Sequence, residues 1–91
     1  MSTNRPNYLI VRIISPREII FEGEAWAVSS KNSAGSFDIL PYHANFISLV
    51  ENQSIYVRKI DKQVLQFKFP FAIIYHTNNY VNIYTDTETK S

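Results

Sequence analysis

Hydrophobic and polar residues alternate with a period of two along most of the chain. In residues 8–14, Leu9, Val11 and Ile13 fall on one side, with Tyr8, Ile10, Arg12 and Ile14 on the other. That period marks a strand with one face against a core. Ser15-Pro16-Arg17-Glu18 reads as a turn, because proline fixes φ and cannot donate to a sheet ladder. Ile19-Ile20-Phe21 resumes the pattern, and Glu22-Gly23 is expected to break it. Over residues 24–30, Trp26 and Val28 alternate against Ala25 and Ala27.

Residues 31–35 read as a polar loop, 37–40 as a short strand stopped by Pro41, and 46–50 as another strand. Asn52-Gln53 separates it from residues 54–60, where Ile55 and Val57 oppose Tyr56 and Arg58. Asp61-Lys62 is a hairpin turn before residues 64–69, with Leu65, Phe67 and Phe69 on one side. Residues 72–75 and 80–84 flank the turn Thr77-Asn78-Asn79. Short strands with turn signals every ~8–12 residues predict an all-β antiparallel sandwich or barrel. No segment has apolar spacing at the helical period, and there is no internal repeat. The domain is expected to span residues 8–86, between a flexible N-terminus (1–7) and a frayed tail (87–91).

Ninety-one residues suffice for one domain. The absence of cysteine excludes disulfides, thiolate nucleophiles and sulfur-ligated metal sites. A net charge of +1 predicts no nucleic-acid partner. The longest apolar runs, 69–75 and 8–11, are far short of the ~20 residues a membrane helix needs. The first residues lack the apolar core of a signal peptide. A soluble, intracellular domain that can dock on a membrane complex is expected, monomeric in isolation.

Candidate chemistry is sparse. His43 and His76 show no metal-ligand spacing; His76, beside a turn, is expected to be exposed, and the His43 imidazole to hydrogen-bond its own loop. Alternation puts Asp38 on the face opposite Phe37 and Ile39, in solvent or bonded to nearby backbone amides, with Glu51 the only carboxylate near in sequence. Two glycines twelve residues apart cannot cradle a phosphate. Arg58-Lys59 and Lys62, interrupted by Asp61, read as a solvated hairpin. Tyr56, Tyr75, Tyr80 and Tyr84 could mimic a stacking platform, but without surplus positive charge they read as core or cross-strand pairs. No catalytic, cofactor or metal site is expected.

The order of several motifs, however, resembles the N-terminal β-domain of the epsilon subunit of F-type ATP synthases. The match runs through Ser15-Pro16, Phe21-Glu22-Gly23, Gly35-Ser36-Phe37, Ile39-Leu40-Pro41-Tyr42-His43-Ala44 and the closing stretch 79–86. Gly23, Phe37, Leu40, Pro41, His43 and Ala44 carry it most clearly. Glycines usual in the family are replaced at Asp38, Tyr42, Phe71 and Ala72, which makes the loop around Tyr42 less permissive of positive φ.

The resemblance implies a flattened β-sandwich of about eight to ten short strands. It implies a non-catalytic rotor subunit joining the gamma subunit to the membrane c-ring, peripheral on the cytoplasmic face of the bacterial inner membrane and without cofactors. The loop Lys31, Asn32, Ser33, Ala34, Gly35 and Ser36 is expected to approach the ring, and Ser15, His43 and Ser48 the gamma subunit. Many relatives carry a C-terminal helical hairpin after this domain; with five residues after Asp86, the expectation is a short form without it. The rival reading is a free-standing β-sandwich adaptor or small-ligand module.

Overall fold

One long strand organises the sheet. In the computed structural model, which describes residues 7–86, β2 (Ile19–Asn32) pairs with three other strands. These are β1 (Leu9–Ile14), β3 (Gly35–Ile39) and β5 (Ser54–Lys59). The remaining strands are β4 (Phe46–Glu51), β6 (Val64–Lys68), β7 (Phe71–Thr77) and β8 (Tyr80–Thr85). They form one curled sheet in the order β4-β7-β8-β1-β2-β5-β6, with β3 also on β2. The tail 87–91 and all of the N-terminal segment but Asn7 lie outside the described residues.

Every pairing is antiparallel except β1 with β8, which is parallel. The all-β expectation therefore holds, with one parallel seam that local alternation could not reveal. Glu22-Gly23 does not interrupt β2 either. Gly23 lies opposite Val11, and the ladder runs through it.

The irregularity comes three residues later. Ala25 pairs with Lys59 and Ala27 with Arg58, so Trp26 is an extra residue on β2. Such a bulge reverses which parity faces inward. Before it, Phe21, Gly23 and Ala25 stand opposite Ile13, Val11 and Leu9. After it, Val28 stands opposite both Ile39 and Val57, and Ser30 opposite Phe37. The expected alternation of Trp26 and Val28 against the two alanines is thereby overturned. Val28 is buried with Ala25, and Trp26 is half-exposed.

Core residues then line up in rows across the strands. Gly23, Val11, Val81, His76 and Phe46 form one, and Phe21, Ile13, Ile83, Ile74 and Ser48 the next. From the other wing come Ile39, Ile55 and Val57, joining the same buried cluster. Each such aliphatic side chain is worth about 1.5–3 kcal/mol on burial. Aromatic contacts close the wings: Phe37 meets Phe46 at 5.0 Å between ring centres, and Phe21 meets Phe67 at 5.8 Å.

The turns follow from residue chemistry. Asn78 and Asn79 both adopt positive φ, 51° and 64°, making the tight β7–β8 hairpin. Gly23 serves a close approach instead. A Cβ there would lie 2.9 Å from Cζ of Phe21, whose ring covers the glycine. Gly23→Ala is expected to push that ring off Phe67 and destabilise the domain by about 1 kcal/mol. Urea unfolding checks this; an unchanged midpoint would show that the ring adapts freely.

Candidate interaction surfaces

The segment 31–36 is the tip of the β2–β3 hairpin, with Lys31 and Asn32 still in β2 and Gly35 and Ser36 already in β3. Gly35 holds φ 128°, in the region that glycine adopts most easily. Asn32 braces the tip: its Oδ1 accepts the Ala34 N–H at 2.8 Å, and its Nδ2 donates to Ser48 Oγ at 2.8 Å. Lys31, Ser33, Ala34 and Ser36 are exposed.

A cleft lies on each side of the hairpin. One, of about 420 Å³, runs between the tip and Ile47, Leu49 and Glu51. The other, of about 380 Å³, contains a polar chain. In it Arg58 Nε donates to Ser29 Oγ at 3.2 Å, and Ser29 donates in turn to Asp38 Oδ1 at 2.5 Å. Asp38 is thus exposed, as expected, and bonded to a hydroxyl across the β2–β3 ladder.

The three positions expected at a gamma interface do not form one cluster. Ser48 belongs with the hairpin through Asn32. Ser15 closes the β1–β2 turn: its Oγ accepts the N–H groups of Arg17 and Glu18 at 3.3 and 3.2 Å. His43 is exposed in the loop before β4, and its main-chain N–H, not its imidazole, donates to the Leu40 carbonyl at 3.3 Å. By register, Ser15 and His43 lie toward opposite ends of the β4-β7-β8-β1 wing.

In the same loop Tyr42 holds φ 67° despite its side chain, with its N–H donating to Asn79 Oδ1 at 2.7 Å. This bond ties the loop to the β7–β8 turn and helps hold the unusual backbone in place.

His76 departs from the expectation of an exposed turn histidine. It is 1% exposed, in the core row between Val81 and Phe46. Neither ring nitrogen has a hydrogen bond of good geometry, and the Ala44 backbone is a weak partner of the ring. Burial holds its pKa below the ordinary 6.5; the nearby Ala44 backbone opposes this in part, and His43 adds to the lowering.

Sequence reasoning also missed the outer face of the β4-β7-β8 wing. Ile47 lies opposite Tyr75, Leu49 opposite Ile73, and Ile73 opposite Tyr84, and all five are exposed. Phe71 and Tyr80 extend the patch. These tyrosines form cross-strand pairs, as one reading held, but outside the core. The available signal was that β7 is apolar at both parities.

Residues 8–90 match the family model described as "ATP synthase, Delta/Epsilon chain, beta-sandwich domain". The chain belongs to this family. Among curated relatives, the ATP synthase epsilon chain of Leptospira interrogans serogroup Icterohaemorrhagiae serovar copenhageni is 35% identical over 88% of this chain and 62% of its own. That of Rickettsia felis is 31% identical, over 87% and 72%.

A chain in the Euglena gracilis mitochondrial ATP synthase structure (OSCP/F1/c-ring) superposes with a TM-score of 0.83 at 16% identity. It covers 96% of this chain and 56% of that one. A chain in the Tetrahymena thermophila central stalk/c-ring structure gives 0.65 at 16% identity, over 87% and 63%. At such identities the likeness concerns the fold.

This chain thus carries a histidine whose burial outweighs its weak Ala44 contact, which makes stability depend on pH. The unfolded chain protonates this imidazole near pH 6.5, whereas the folded chain resists it, so protonation favours unfolding. Its contribution is complete above pH 6.5 and declines as pH falls toward the lower folded value. In thermal melts from pH 7.5 to 5.5, wild type should lose stability more steeply than His76→Val; parallel curves would refute this.

Proposed function

We propose that the chain is the central-stalk subunit of a bacterial F-type ATP synthase that joins the gamma subunit to the membrane c-ring. In this reading it sits on the cytoplasmic face of the inner membrane, takes part in proton-driven ATP synthesis and catalyses nothing. The observation that carries the proposal is the outer face of β4-β7-β8 in a member of this family. Contiguous exposed apolar surface of this kind marks interaction sites, and the gamma subunit is the partner the family reading supplies.

The hairpin tip 31–36 then meets the polar loops of the ring. It is short, polar and braced by Asn32, so it can bear load. His43, Ile47 and Leu49 present the gamma-facing edge. Ser15 and Ser48 act from behind it, by holding the β1–β2 turn and the hairpin in place. A single sheet closed on one core suits a part that transmits torque, since close-packed interiors are stiff.

Two substitutions test the two surfaces separately. Leu49→Asp, on an exposed position, should leave stability within about 0.5 kcal/mol yet lower gamma affinity at least ~10-fold, or about 1.4 kcal/mol. Ser36→Lys should spare gamma binding and weaken retention on the c-ring. Co-purification of the assembled complex measures both. Undiminished recovery of gamma and ring with the two variants would reject these surfaces. Failure of wild type to recover either partner would favour the adaptor reading.

A further inference from the structure

We propose that the outer face of β4, β7 and β8 binds its partner through one arginine, laid on the Phe71 ring between Glu51 and Asp86. The proposal rests on the rotor reading only for the partner's identity, the gamma subunit; the chemistry of the contact follows from this chain. Glu51 stands opposite Phe71 in the β4–β7 ladder, so their side chains share the outer face. On the other side Thr85 stands opposite Ala72, and one step further along Asp86 and Phe71 are neighbours. Glu51, Phe71 and Asp86 are all exposed.

Charge selects the occupant. β4, β7 and β8 carry no lysine or arginine, and His76 on β7 is buried. The charges at this end of the face are Glu51 and Asp86, both negative. The ion pairs among the described residues, Arg12–Glu22 and Lys59–Asp61, engage neither of them. Lys31 lies across the cleft from Glu51, and Arg17 in the adjoining β1–β2 turn, and neither forms an ion pair with these carboxylates. Adjacent strands run about 4.8 Å apart, so the backbones of Glu51 and Asp86 stand roughly 10 Å apart with Phe71 between them. A guanidinium suits that arrangement. It is planar, stacks on an aromatic face and donates from several edges, whereas an ammonium is a compact point charge.

The site is held in place before a partner arrives. The Asn52 N–H donates to the Pro70 carbonyl at 3.1 Å, and Thr85 Oγ1 donates to the Phe71 carbonyl at 3.1 Å. The start of β7 is therefore braced from the β4 side and the β8 side at once, and little freedom is lost there on binding. In the next row Leu49, Ile73 and Tyr84 form an exposed apolar floor. A partner that covers this floor excludes water from the contact, which strengthens the pairing of opposite charges. The segment that fits is an arginine flanked by apolar residues.

The test co-expresses the full chain with the gamma subunit of the same organism and measures binding at low and high salt. It compares wild type, the double variant Glu51→Gln/Asp86→Asn, and Phe71→Leu. These positions are exposed, so both variants should melt with wild type. The double variant should bind gamma about 10-fold more weakly at low salt and lose most of the salt dependence. Phe71→Leu should bind about 5-fold more weakly. Replacing each gamma arginine in turn by alanine should find one whose loss weakens wild type but leaves the double variant unchanged, as a direct pair requires. Wild-type affinity in both variants would overturn the proposal, and so would weaker binding matched by a lower melting temperature. A scan in which no gamma arginine couples to the two carboxylates would overturn it as well. Each of these outcomes removes this contact alone. If wild type itself fails to hold gamma, the rotor reading falls and the contact falls with it.

Discussion

The extra residue at Trp26 is the constraint on which the rest of the structure depends. A strand has two faces, and a regular ladder would keep one parity inward throughout β2. Both wings of the sheet need β2 to face the shared core, one through Phe21, Gly23 and Ala25, the other through Val28 and Ser30. The bulge lets a single strand do both. Without it, Asn32 would point away from Ser48, and Ser30 away from the Ser54 carbonyl it bonds at 2.8 Å.

Because the bulge sets the hairpin's orientation, it also sets the relation between the surfaces. The Asn32–Ser48 bond places the hairpin tip against β4, and β4 carries Ile47 and Leu49 on its outer side. In the proposed roles, a ring-facing tip would rest against one strand of a gamma-facing wing. Force applied at either passes through backbone ladders and a single packed core, with no linker between them.

Much of this fold was legible in the chain. The inward set of β1 follows from period two alone, and Leu9, Val11 and Ile13 are all fully buried. Asparagines at positions 52, 78 and 79 marked turns, and each adopts positive φ. The family could be read from the order of short motifs. Gly23 misled because glycine often ends a strand; here the Phe21 ring occupies the space above it. The Ser15 hydroxyl bonds within the β1–β2 turn and that of Ser48 accepts from Asn32, roles that local alternation did not reveal.

β7 separates the two levels most clearly. Its alternation assigned Phe71, Ile73 and Tyr75 to one face and Ala72, Ile74 and His76 to the other. Composition alone favours burying the first set. The protein buries the second, because in the β7–β8 ladder Ala72, Ile74 and His76 stand opposite Thr85, Ile83 and Val81, all of which face the core. Local sequence fixes a strand's period and its turns through side-chain and backbone preference. Which face meets water depends on the neighbouring strands, and that choice left the aromatic face outside and a histidine within.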